Sequence, residues 1–85
     1  MKVSVEISLY PLDQNYIPPI QAFIDRLNSY AELKVVENTM STQVYGEYQQ
    51  VLSIINKEMQ RTHEQSPKAA FVMKVLNGDL SPETK

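Results

Sequence analysis

Val3, Val5, Ile7 and Leu9 alternate with Ser4, Glu6, Ser8 and Tyr10. A period of two predicts a strand with one buried face and one differently used face. Pro11 has no amide hydrogen to give to a sheet ladder, so the strand is expected to end there. The period then lengthens. Ile17, Ile20, Ile24, Leu27 and Ala31 recur at steps of three and four, with Phe23 and Tyr30 beside them, which predicts an amphipathic helix. Pro18 and Pro19 suit a first turn whose N–H groups have no partners within the helix. Asp13 or Asn15 would cap it, and Asn28 and Ser29 prepare its end.

Leu33, Val35 and Val36 predict a second strand, and Glu37-Asn38-Thr39-Met40 a tight connection. Ser41 to Tyr45 form a third strand, with Thr42 and Val44 on one face and Ser41, Gln43 and Tyr45 on the other. Gly46 is expected to take an unusual backbone angle that releases the chain into a second helix. Glu47 suits the positive end of that helix's dipole. Tyr48, Val51, Leu52, Ile55 and Met59 are its apolar positions; Lys57, Arg61 and His63 gather near its negative end, and Ser66-Pro67 closes it. Ala69 to Leu76 is the last strand. Phe71, Met73 and Val75 share one face, and Ala70, Val72, Lys74 and Leu76 make the other largely apolar too, so coverage on both sides is expected. Asn77-Gly78-Asp79 reads as a turn. The rest is a flexible tail, from about 79 to 85, of a single domain spanning 1–85.

The order β-α-β-β-α-β, with right-handed crossovers, predicts an α+β ferredoxin-like fold. Its antiparallel sheet of four strands runs in the order 4-1-3-2, with both helices on one face. That topology brings three segments to one end of the sheet: Ser8 to Pro11, the hairpin tip Asn38 to Ser41, and the loop from His63 to Pro67. Ser8 and Tyr10 can then approach Ser41 and Thr42.

Composition narrows the chemistry. Eighty-five residues, 42% hydrophobic and 21% charged, fit one globular domain. A chain this short buries roughly 60–65% of the surface it exposes when unfolded, so its core is marginal and association is the usual remedy. The formal net charge is −2 and no basic run occurs, which argues against a nucleic-acid partner. With no cysteine, disulfides, thiolate catalysis and Cys-based zinc sites are excluded. The alternating N-terminus is not a signal peptide, and no apolar run approaches the ~20 residues of a membrane span, so a soluble, cytoplasmic protein is expected.

Ser8, Tyr10, Asn38, Ser41 and Thr42 can be read as a small polar pocket, with Tyr10 or Tyr45 stacking on a heterocycle. The bland alternative is that hydroxyls are common on strands and pair well across them. Glu6 could accept from a ring edge or attract a cation, but the reading the topology favours is an ion pair with Lys74 on the adjacent strand. His63, the lone histidine, makes no metal site without further ligands. It suits a helix C-terminus. Met40 and Tyr45 could line a ligand cavity or a subunit interface. The serines have only His63 as a base, and two glycines cannot build a phosphate loop, so no catalytic apparatus is expected.

Ser8-Leu9-Tyr10-Pro11-Leu12 and Met40-Ser41-Thr42-Gln43-Val44-Tyr45-Gly46-Glu47 carry a resemblance. With the lengths between them, they make the chain similar to the YkoF-like thiamine-binding protein family over nearly its whole length. The resemblance implies a ferredoxin-like fold without catalysis or cofactor, binding thiamine or its hydroxymethylpyrimidine moiety, in some cases beside a transporter for these compounds. It implies a single-domain member that forms homodimers or homotetramers. Position by position it points to Ser8, Tyr10, Ser41 and Thr42, while Asn38 and Glu6 come from geometry. The rival from another class is a homo-oligomeric structural or regulatory module with a vestigial pocket, in which Val72, Leu76, Met40 and Tyr45 bury against another copy.

Overall fold

The computed structural model describes residues 1–66 and 68–82. Its elements are β1 (Lys2–Pro11), α1 (Ile17–Asn28), β2 (Lys34–Glu37), β3 (Thr42–Glu47), α2 (Tyr48–Gln65) and β4 (Ala69–Asn77). The sheet has the order β2-β3-β1-β4, all pairs antiparallel, as the ferredoxin-like topology predicts.

Register sorts the side chains. Val3, Val5, Ile7 and Leu9 lie on the helix side, joined there by Val44 opposite Val5. With Phe23 and Leu27 of α1 and Val51 and Ile55 of α2 they form the buried core. The face away from the helices carries Ser4, Glu6, Ser8 and Tyr10 of β1, Gln43 and Tyr45 of β3, and Val72, Lys74 and Leu76 of β4.

Several local expectations need correction. Neither Asp13 nor Asn15 caps α1: its N-cap is Tyr16 without a side-chain bond, and Asp13 Oδ1 instead accepts from the Asn15 amide. The helix stops at Asn28, so Ala31 falls in the following turn, exposed. Gly46 is an ordinary β3 residue paired with Val3, and the positive φ belongs to Gly78, at 131°. Space, not angle, requires a glycine at 46. A Cβ there would lie 2.9 Å from Val51 Cγ2 and 3.2 Å from Glu32 O. Glu47 does serve α2, its carboxylate accepting from the Gln50 amide at 3.1 Å.

The segment expected to fray is tied down as far as Ser81. Ser4 Oγ donates to Gly78 O and accepts from the Leu80 amide, and Ser81 is buried. The chain thus turns back over one end of the sheet's open face. Pro67 and residues 83–85, which complete the expected helix stop and tail, lie outside the described residues. β4 is not covered on both sides: Val72, Met73, Val75 and Leu76 are exposed, because the helices sit over β1 and β3 and reach only the start of β4.

Candidate functional site

The end of β1, the hairpin tip and α1 enclose a cleft of about 120 Å³. β1 delivers Ser8 and Tyr10 to it, because the strand runs on to Pro11 beyond the last residue paired with β3, Ile7. The β2–β3 connection delivers Asn38 and Ser41, and the first residue of β3 is Thr42; the connection is closed by a hydrogen bond from the Asn38 amide to Ser41 O at 2.9 Å. The apolar wall is Ile20, Phe23 and Ile24.

Five of the six residues singled out in the sequence therefore border one cleft, though not as equals. Thr42, opposite Ile7, lies on the helix side and is buried, whereas Ser8 and Tyr10 lie on the open side and Tyr10 is exposed. They meet only because the cleft sits where the sheet ends. Ser8 Oγ donates to Met40 O at 3.3 Å, so the hydroxyl ties β1 to the hairpin tip. Ser41 Oγ donates to Glu6 Oε2 at 2.9 Å. No hydrogen bond within the described residues engages the side chains of Tyr10, Asn38 or Thr42, all of which border the cleft.

Glu6 stands apart. It lies on the open face, its Oε1 3.0 Å from Lys74 Nζ. The hydrogen bonds from Lys74 and Ser41, with the lysine's charge, hold its carboxyl below the ordinary carboxylate value. It borders a second, wider depression of about 670 Å³, shared with Ser4, Gln43, Tyr45, Leu76 and Leu80. This trough was missed in the sequence because Leu80 was assigned to a free tail. Tyr45, which the sequence left open between a ligand cavity and a subunit contact, lines this trough and is largely buried within the chain, and its OH reaches Gln43 Oε1 at 3.5 Å.

His63 sits at the end of α2. Its Nε2 is 3.1 Å from Ala69 O, and its ring meets Phe71 edge-on at 5.3 Å, a structural placement outside the cleft. Among the described residues no group of three or more His, Cys, Asp or Glu could hold a metal, and no helix is long and apolar enough to cross a membrane.

Fold and cleft together define a small ferredoxin-like domain with a hydroxyl-bearing cleft at one end of its sheet. More narrowly, the model of the YKOF-related family matches residues 2–81, and the chain belongs to that family. No curated protein matches the sequence. Solved structures share its fold. One from Thermotoga maritima, described as a candidate thiamine biosynthesis/salvage protein, is 17% identical with a TM-score of 0.84, over 99% of this chain and 94% of that one. A hypothetical protein from Methanocaldococcus jannascii is 20% identical with a TM-score of 0.80, covering 98% and 90%. A protein from Streptococcus pneumoniae is 22% identical with a TM-score of 0.76, covering 99% and 96%.

Proposed function

We propose that the chain is a non-enzymatic binding protein for thiamine or its hydroxymethylpyrimidine moiety, serving transport or salvage of thiamine precursors. The observation that carries this reading is the cleft bordered by Tyr10, Asn38 and Thr42, whose side chains are not engaged elsewhere. A pyrimidine presents ring nitrogens and an exocyclic amine on one edge. Thr42 can donate or accept, and the Asn38 amide can do both at once. Tyr10 offers a ring to stack on, and Ile20 and Phe23 form an apolar floor. Family membership and the description of the Thermotoga maritima protein support the choice of guest. The protein works in the cytoplasm as a homodimer or homotetramer, with no cofactor besides its ligand and a transporter as its functional neighbour.

Calorimetric titration against thiamine, its phosphates and hydroxymethylpyrimidine tests this reading. Saturable heat with one of them is expected; no heat from any at millimolar concentration rejects it. The exposed Val72 and Leu76 on the open face favour a second reading, an association module with a vestigial pocket. Light scattering with and without ligand separates the two. Association combined with no ligand response selects the module.

A further inference from the structure

The ladder between β1 and β3 stops one rung early. Along an antiparallel strand one residue turns its amide and carbonyl to one neighbour, and the next residue turns them to the other. Three hydrogen bonds fix that alternation in β1. The Gly78 amide donates to Lys2 O and the Leu12 amide to Lys68 O, so the even-numbered residues serve β4. The Tyr48 amide donates to Met1 O, in the register that pairs Val5 with Val44 and Ile7 with Thr42, so the odd-numbered residues serve β3.

The next odd residue is Leu9, and the same register sets it opposite Met40. That rung is not made. Pairing ends at Ile7 with Thr42, and among the described residues no hydrogen bond joins Leu9 to Met40. The hairpin tip closes on itself through the Asn38 amide and Ser41 O, and the Met40 carbonyl accepts from Ser8 Oγ instead. Leu9 and Met40 both border the cleft of about 120 Å³. Leu9 is only 9% exposed, so its peptide groups on that side have little bulk water to turn to. Buried backbone donors and acceptors are nearly always paired.

We propose that the Leu9 N–H and C=O act as a pair that holds a planar guest carrying a hydrogen-bond acceptor beside a donor on one edge. On the proposed reading of the cleft, on which this rests, the Leu9 peptide is the group that orients the guest. In an extended residue the amide and carbonyl lie side by side and point the same way, ready for the amide and carbonyl of an opposite strand. A 4-aminopyrimidine edge offers the same complement. Its ring nitrogen accepts from the Leu9 amide, and its exocyclic amine donates to the Leu9 carbonyl. Thr42 and Asn38 then meet the ring's other nitrogen and its substituents.

A peptide is a poorer match. Pro11, the next odd residue, has no amide hydrogen, so an added strand would gain one full rung and no second. A site built around a buried donor and acceptor also rejects an analogue that cannot pair with both, because one of them is left unsatisfied.

Nuclear magnetic resonance of the full chain tests the backbone and the guest separately. Without ligand, coupling across a hydrogen bond is expected between the Val5 amide and the Val44 carbonyl and absent between the Leu9 amide and the Met40 carbonyl. A Leu9–Met40 coupling overturns the proposal whatever the cleft binds. Saturation with hydroxymethylpyrimidine is expected to move the Leu9 amide proton downfield and slow its exchange with solvent. The analogue lacking the exocyclic amine should bind roughly two- to twelve-fold more weakly. Calorimetric binding that leaves the Leu9 amide unmoved, or equal affinity for the two pyrimidines, overturns the proposal and leaves the proposed function standing. No binding of thiamine or of either pyrimidine rejects both.

Discussion

Arg26 reaches from α1 to α2 and donates its Nε–H to Oε1 of Glu58 across 2.7 Å, and that carboxylate is completely buried. Tyr30 OH donates to Oε2 at 2.6 Å, and Arg26 Nη2 donates to Thr62 Oγ1 at 2.6 Å. Both oxygens are thereby satisfied, and the cluster sets how the two helices lie over the sheet. Such a pair adds little net stability, but removing one member strands the others in the interior. Glu58→Ala should destabilise by about 3–5 kcal/mol, a large part of what an 85-residue domain has. Denaturant titration measures it.

The same cluster predicts a pH profile. Burial pushes Glu58 up, but the hydrogen bonds from Tyr30 and Arg26, with the charges of Arg61 and Arg26, outweigh it and hold the carboxyl below its ordinary 4.5. Its contribution is complete above 4.5 and is lost as pH falls through the lower folded value. Tyr30 moves the other way: its hydrogen bond to Glu58, then burial, raise it above 10.0. That contribution is complete below 10.0 and is lost as pH rises through the higher folded value. Melting temperatures should be level between these limits and fall beyond each. Tyr30→Phe should flatten the alkaline limb, and Glu58→Ala both.

The order of elements was legible because each has its own period, two in β1 and three to four in α1 and α2. Sheet order then followed from topology, and with it the meeting of Ser8 and Tyr10 with the hairpin tip. Glu58 was legible in principle: Val51, Ile55, Glu58 and Thr62 recur at helical spacing on one buried stripe. A charge on that stripe needs a partner, yet periodicity does not say that Arg26 supplies it from another helix. Gly46 could be marked as special, but the reason is the approach of Val51 and Glu32, a contact between elements. Thr42 and Tyr10 lying on opposite faces was implicit in the alternation. That they still border one cleft depends on where the sheet stops.

Gly46→Ala should destabilise although its backbone angle suits any residue. The new methyl would sit 2.9 Å from Val51 Cγ2 and 3.2 Å from the Glu32 carbonyl, and a backbone oxygen cannot swing aside. Overpacking of this kind costs about 1–3 kcal/mol. An unchanged denaturation midpoint would mean that α2 shifts freely on the sheet.

Ser4→Ala should release the chain after β4. The Ser4 hydroxyl donates to Gly78 O at 2.7 Å and accepts from the Leu80 amide at 2.9 Å. Each neutral bond is worth about 0.5–1.5 kcal/mol. Hydrogen exchange at Leu80 should accelerate, with little change at the core amides of Val5 and Val44. Protection of Leu80 equal to that of the parent would show that Ser81's burial holds the segment by itself.

Thr42 and Glu6 divide the ligand question. Thr42 is buried at the cleft without a partner among the described residues, so a guest that bonds its hydroxyl should feel Thr42→Val and be restored by Thr42→Ser. Losing one neutral bond costs about 0.5–1.5 kcal/mol, roughly a two- to twelve-fold weaker Kd for the proposed pyrimidine or thiamine ligand. Glu6 lies outside the cleft and touches it only through Ser41, at 2.9 Å. Glu6→Gln should therefore weaken binding less than Thr42→Val does. The reverse order in titration calorimetry would move the guest to the open-face trough, where Glu6 and Lys74 meet.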